Sequence, residues 1–312
     1  MTAPPFLTQS DLPSRPDWTR LVAALEAGHK AHRAEIADVF LGPPERTLLS
    51  RAARIPGMGS GVKSVTVVPE NAAREMPTIQ GAMLIFDDAT GRHMATLDSA
   101  VVTNLKTVAD SLLGAKLLAR PDCRRLLIVG AGSVAETLAA AYPVIFPGLE
   151  QIEIWNRTPH NAEVLAKKLS SSSVPVTAIQ DLKAAVPEAD IVATATMARA
   201  PVVLGDWLQP GTHLDLIGAF RADMREVDDT ALKRARLFVD SRDTTLDHIG
   251  ELKMPLAAGV ISPGDILADL YDLAEGKPGR TAPSDITIFK NGGGAHLDLM
   301  IAFAIVESAG TI

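Results

Sequence analysis

The sequence predicts an α/β protein in which a doubly wound parallel sheet is joined to a smaller α+β region. Two observations carry this reading. From residue 121 to about 290, strand-length apolar runs alternate with helical patterns, the order that right-handed crossovers wind into a parallel sheet. Within that stretch Leu126, Leu127, Ile128 and Val129 lead directly into Gly130-Ala131-Gly132-Ser133-Val134-Ala135 and an apolar helix, the strand–turn–helix opening of a dinucleotide-binding βαβ unit. Residues 1–120 instead read as short strands followed by one helix.

Taken in order, residues 18–40 carry Leu21, Leu25, Ile36, Val39 and Phe40 at helical spacing, with Asp17 placed as a cap and Gly42-Pro43-Pro44 as a stop, so a single helix is predicted. Strands are predicted over 46–49, 62–68, 78–86 and 93–97, with Asp87-Asp88-Ala89-Thr90-Gly91 as a hairpin loop. An Ala/Leu-rich helix covers 103–118 and stops before Pro121. The parallel region then alternates strands 126–129, 152–155, 191–194, 213–217 and 237–239 with helices 134–144, 162–169 and 230–234. A strand at 286–289 and the run Gly292-Gly293-Gly294 precede a terminal apolar helix over 297–308. The residue pattern leaves open whether that helix closes the parallel domain or crosses back to the first region.

The glycines of the turn have separate duties. Gly130 permits the tight turn, Gly132 lets backbone approach a pyrophosphate, and Ala135 lets the helix pack close to the strand. The helix start offers free N–H groups and a positive dipole end to the phosphates. The next strand ends in Asn156-Arg157-Thr158, where a site for NAD would carry an acid on the ribose 2′-hydroxyl. Asn156 does not repel a 2′-phosphate, Arg157 offers it a guanidinium fork and Thr158 a hydroxyl, so NADPH is the preferred cofactor, with NADH admitted.

Composition narrows the rest. A chain of 312 residues is long enough for two domains, and a net charge of −7 without any basic run argues against a nucleic-acid partner. The single Cys123 excludes an internal disulfide and is read as structural, and no metal-ligand spacing is present. The N-terminus lacks the basic flank and apolar core of a signal peptide, and no run reaches the roughly 18 apolar residues of a membrane span. A cytoplasmic protein without membrane partners is expected.

Several stretches together resemble the ornithine cyclodeaminase/mu-crystallin family: Gly61-Val62-Lys63 through Pro69-Glu70-Asn71, Thr103-Asn104-Leu105-Lys106-Thr107, Gly130-Ala131-Gly132, Trp155 through Thr158, Ala193 through Thr196, Gly218 through Asp228, and Phe289 through Asp298. They run in order from about residue 45 to the end. The resemblance implies a Rossmann-type domain over 121–292 and a substrate-binding, dimerising domain made of 1–120 plus 293–312, to which the terminal helix returns. It also implies a homodimer that takes a small imino or amino acid as substrate.

By the same resemblance, Arg46 and Lys63 look like holders of a substrate carboxylate, a pairing that charge-assisted hydrogen bonding supports; the proton to the nitrogen is expected from Lys63 or from an ordered water. Where the family carries Thr-x-x-Arg-Thr this chain has Lys106, which keeps the charge and loses the fork. Where cyclodeaminases present Gly-x-Asp, this chain has Gly218-Ala219-Phe220; loss of that acid/base group costs on the order of 10²–10⁴ in rate. Reduction of a preformed cyclic imine has no need of it, and Phe220 offers an apolar wall to the ring. The analogy places Ser133, Val134, Thr196, Leu214, Ile217, Asn291 and Thr78 on the cofactor and Gly292 beside the substrate. Asp298, His296 and Asp110 are weighed as a proton relay, although an Asp at a helix start more often caps and His296 reads as interfacial.

The function expected is therefore NAD(P)H-dependent reduction of Δ1-pyrroline-2-carboxylate or Δ1-piperideine-2-carboxylate to L-proline or L-pipecolate. The alternatives are an ornithine cyclodeaminase, an alanine dehydrogenase, and a non-catalytic ligand binder of the mu-crystallin kind.

Overall fold

The computed structural model describes residues 3–43 and 45–309, which form two compact units, one of residues 3–43, 45–109 and 294–309 and the other Asp110–Gly293. Unit 1 is built on a six-stranded sheet. Strand β1 (Phe6–Leu7) leads to helix α1 (Trp18–Lys30), whose start is held by the Asp17 carboxylate accepting from the Arg20 N–H at 3.0 Å. Strands β2 (Glu35–Leu41), β3 (Thr47–Ile55), β4 (Gly59–Val67), β5 (Ile79–Asp87) and β6 (His93–Asp98) form an antiparallel meander, and β1 adds in parallel beside β6. Helix α2 (Ser99–Leu118) follows.

One expectation fails here. The helix anticipated over 18–40 ends at Lys30, and Glu35–Leu41 is an edge strand paired to β3 from Glu35↔Arg54 to Leu41↔Leu48. Ile36, Val39 and Phe40 fit a helical spacing, but they belong to a short β-branched and aromatic run that the neighbouring strand can pair with, and pairing overrides local pattern. All seven residues of β2 are exposed, so their spacing never reported a buried face.

Unit 2 winds an eight-stranded, wholly parallel sheet. Its first half is β7 (Arg125–Val129), α3 (Ser133–Ile145), β8 (Gln151–Trp155), α4 (Pro159–Lys168) and β9 (Val176–Ile179). Then come α5 (Leu182–Ala185), β10 (Ile191–Thr194), β11 (His213–Leu216), α6 (Asp229–Arg234), β12 (Arg236–Val239) and α7 (Arg242–Thr245). Helix α8 (Gly250–Ala257), β13 (Ile266–Ala268), α9 (Leu270–Ala274) and β14 (Thr287–Lys290) complete it. The spatial order β13-β12-β14-β11-β10-β7-β8-β9 reverses direction between β7 and β10, where an open α/β sheet presents its ligand crevice. Leu127, Val192, Leu214 and Ile288 fill one face of the core. Strands β9 and β13 carry no distinct pattern in the sequence.

Helix α10 (Ala295–Ser308) returns to unit 1, where it packs on α1, β3 and β4. The unit boundary falls inside α2, after Ala109, whereas the sequence reading put it at residue 120; a continuous helix carries no local mark of where its packing changes. Gly59, at φ +144°, has room for no side chain, because a Cβ there would stand 2.5 Å from both the Phe303 ring of α10 and the Phe86 carbonyl. Among the described residues no helix is long and apolar enough to cross a membrane.

Candidate active site

The inward face of β4 reads Gly59, Gly61, Lys63 and Val65, so the alternation of the strand puts a lysine among core positions. Its Nζ donates to Asp298 Oδ1 at 2.6 Å and to Thr103 Oγ1 at 3.1 Å. Both members of the ion pair are buried, at 5 % and 0 % exposure. Asp298 lies in the first turn of α10, but the N-cap is Gly294, so the capping role considered for this Asp does not hold. Its second oxygen, Oδ2, has no hydrogen-bond partner among the described residues. Burial lowers the Lys63 ammonium below its ordinary value. Asp298 opposes the shift, while the cations of Lys106 and Arg51 add to it.

Lys106 is buried on α2 and acts on Lys63 through its charge. Arg46 is exposed in the turn before Thr47, and the β3 residue opposite Lys63 is Arg51. Burial pushes His296 well below its usual value, and its ring stands edge-on to that of His29 at 5.7 Å. Thr78 is half-buried, its carbonyl accepting from the Val68 N–H at 2.8 Å, and Asp110 is fully buried.

In unit 2 the glycine turn has the geometry a pyrophosphate needs. Gly130 sits at φ +130° with its N–H donating to the Trp155 carbonyl at 2.8 Å, and a Cβ would press on the Ala195 carbonyl at 2.5 Å. Gly132, the N-cap of α3, has an ordinary φ of −89° and open space where a Cβ would stand. Its smallness serves an approaching group rather than the turn, and that is the fit a dinucleotide requires. Ser133 is exposed, Val134 half-buried and Ala135 fully buried. Asn156 Nδ2 donates to the Thr158 carbonyl at 3.0 Å; Arg157 and Thr158 are exposed, and Thr158 makes no side-chain cap on α4.

The remaining expected positions divide. Ile217 is at 8 % exposure just past β11, and Asn291 donates through Nδ2 to Ser111 Oγ at 3.0 Å. Gly292 donates its N–H to Asp240 Oδ2 at 2.8 Å, Thr196 is tied to Glu226, and Phe220 is exposed. Leu214 is corrected: the second residue of β11 is packed wholly in the apolar core, not on a ligand surface. Asp215, to which the sequence pattern gives no role of its own, is fully buried, accepts from Tyr142 Oη at 2.7 Å and Ser111 Oγ at 3.1 Å and is pushed up to about 7 by burial. A charged residue in the apolar strand His-Leu-Asp-Leu was the available signal.

Three comparisons bear on this geometry. The ornithine cyclodeaminase/mu-crystallin family model matches residues 53–311. A Δ1-pyrroline-2-carboxylate reductase from Paracoccus denitrificans (strain Pd 1222) is 56 % identical over 309 residues, covering 98 % of this chain and 97 % of that protein. Among solved structures, the Thermococcus litoralis Δ1-pyrroline-2-carboxylate reductase in complex with NADH and L-proline superposes with a TM-score of 0.90 at 28 % identity, covering 97 % of each chain. An archaeal alanine dehydrogenase dimer with bound NAD gives 0.87 at 27 % identity, covering 97 % of this chain and 95 % of that one.

Removing Asp298 would leave the Lys63 cation buried without its counter-charge. Asp298→Asn is expected to cost about 3–5 kcal/mol of stability at pH 7. Without Asp298, Lys63 in the folded state falls further below its unfolded value of 10.5, so the unfolded chain binds more protons and stability rises with pH. Urea unfolding at pH 7 and pH 9 would show the loss shrinking; an unchanged midpoint at pH 7 contradicts the pairing.

Proposed function

The chain belongs to the ornithine cyclodeaminase/mu-crystallin family, and from that premise we propose that it reduces Δ1-pyrroline-2-carboxylate to L-proline, with Δ1-piperideine-2-carboxylate and L-pipecolate as the six-membered counterpart. It is an oxidoreductase acting on a C=N bond with a nicotinamide cofactor. The observation that carries the reading is the buried Lys63 ammonium, held by one carboxylate while a second lysine, Lys106, depresses it.

Lys63 and Lys106 are both buried cations of unit 1, and an imino-acid carboxylate is the anion they would receive. Lys106 holds that carboxylate and Lys63 faces the ring nitrogen. A bound nicotinamide cofactor would supply the hydride for C2 of the C=N bond. The nitrogen takes its proton from Lys63 Nζ, whose lowered proton affinity favours the transfer, and solvent restores it. Asp298 keeps the ammonium charged between turnovers and fixes its direction. By the resemblance, Phe220 takes the position at which cyclodeaminases of the family present an Asp, which favours reduction of a preformed imine over deamination.

NADPH is the preferred cofactor in this reading, supported by the exposed Arg157 and Thr158 at the end of β8 and by the absence of an acid there. The active form is a homodimer, supported by β2, an edge strand that exposes Ile36, Val39, Phe40 and Leu41 together.

Absorbance at 340 nm should fall rapidly when NADPH is mixed with either imine and the protein. Lys63→Met should lower kcat/KM by about 10²–10⁴. Ammonia released from ornithine without added reductant, and silence with the imines, would reject the reductase. Arg157→Ala should weaken NADPH about tenfold, roughly 1.4 kcal/mol, and leave NADH unchanged; equal effects on both would remove the 2′-phosphate assignment. Phe40→Asp should convert dimers to monomers in sedimentation velocity, and an unaltered dimer would exclude β2 from the interface.

A further inference from the structure

We propose that Glu226 is the positioning residue for the nicotinamide half of the dinucleotide site, because it fastens together the two loops that leave the sheet after β10 and β11. Its carboxylate is fully buried and uses both oxygens. Oε1 accepts the Thr196 N–H at 2.9 Å and the Thr196 hydroxyl at 2.7 Å. Oε2 accepts the Gly218 N–H at 2.7 Å and the Ala219 N–H at 3.2 Å. Four donors thus converge from two strand ends on one side chain, and charge-assisted bonds of this kind are the strong ones.

The loops touch where the carboxylate binds them. A Cβ on Gly218 would stand 2.1 Å from the Thr196 carbonyl and 2.5 Å from Glu226 Oε1, so no side chain fits between them. The same post-β10 loop abuts the glycine turn, since Ala195 is the residue a Cβ on Gly130 would strike. Glu226 is itself held: Glu251 accepts its N–H at 2.7 Å and that of Val227 at 3.1 Å. Its charge also acts on a buried cation. Lys290 donates Nζ to the Leu216 and Asn291 carbonyls, each at 2.8 Å, and Glu226 leads the carboxylates that oppose the loss of its charge on burial. Burying a carboxylate this deeply costs free energy that only these partners offset. The two loops it spans stand at the carboxyl ends of the strands beside the reversal of strand order, on the side away from the adenosine positions Asn156 to Thr158. Unfastened, they would retain the fold of unit 2 and lose the fixed shape of the nicotinamide cradle.

This inference rests on the nicotinamide-dependent reading, and the test separates the two. Full-length protein is titrated calorimetrically with NADH and with ADP-ribose, which lacks only the nicotinamide. In Glu226→Gln, whose amide N–H₂ confronts backbone donors, NADH should bind at least tenfold more weakly while ADP-ribose stays within twofold. Glu226→Asp keeps a charge for Lys290 but is too short for both loops, so it should fold normally and weaken NADH at least threefold with ADP-ribose again unmoved. If Glu226→Gln does not fold, the Asp variant decides. Parallel weakening of both ligands, or NADH binding within twofold of wild type in the Asp variant, would overturn the assignment. Selective loss of NADH in a protein whose wild type turns over no imine would uphold the clamp and remove the reductase.

Discussion

Unit 1 depends on a helix that the chain makes last. Every residue of α10 from Ala295 to Val306 is buried, so this helix is the centre of the unit rather than its cover. The sheet and α1 are shaped to receive it: Phe303 occupies the place of a side chain at Gly59, Leu299 at Gly61 and Met300 at Gly28. Close approach of this kind is what small residues allow and what a packed interior requires. The Lys63–Asp298 pair is a product of the same return. Lysine on β4 and aspartate on α10 meet only because the helix comes back, and once desolvated neither charge can be removed alone without leaving the other stranded.

Unit 2 follows a different principle. Apolar strands such as Leu126–Val129 and Ile191–Thr194 fill its interior, while its carboxyl edge is fastened by buried charges. Lys290 sits among the fields of Glu226, Glu251, Asp240 and Asp215. The carboxylates take backbone N–H groups from the loops beyond the strands: Glu226 from Gly218 and Ala219, Asp240 from Gly292 and Gly293. Loops ordinarily have weak reasons to hold one shape. Here each is anchored to a charge that is too costly to leave unpaired, and burial pushes Asp215 and Glu251 up to about 7 as the counterpart of that arrangement. A ligand placed on this edge meets a surface organised in advance.

The legibility of the sequence divides along the same line. The turn at Gly130 and Gly132 could be read because its chemistry is contiguous: strand, turn and helix start lie within ten residues. Strand β2 could not, since Ile36, Val39 and Phe40 satisfy a helical spacing as well as a strand, and only β3 beside them decides. Asp298 was discounted as a cap because helix position is visible in sequence and an ion partner on a remote strand is not. Leu214 was placed on the cofactor by analogy, though the alternation of β11 turns it into the core and Asp215 toward Tyr142.

By itself the sequence determined the parallel α/β class and the family to which the chain belongs, and it supplied the glycine turn and the lysine on which the proposal rests, because each is written in short-range pattern or in motifs kept in order. Tertiary structure alone decided which charges are buried together: Lys63 with Asp298, and Glu226 across two strand ends, its charge acting on the buried Lys290. The physical reason is that a residue's pairing and desolvation depend on the groups that folding brings to it. Those groups lie anywhere along the chain, whereas periodicity and propensity report only on neighbours.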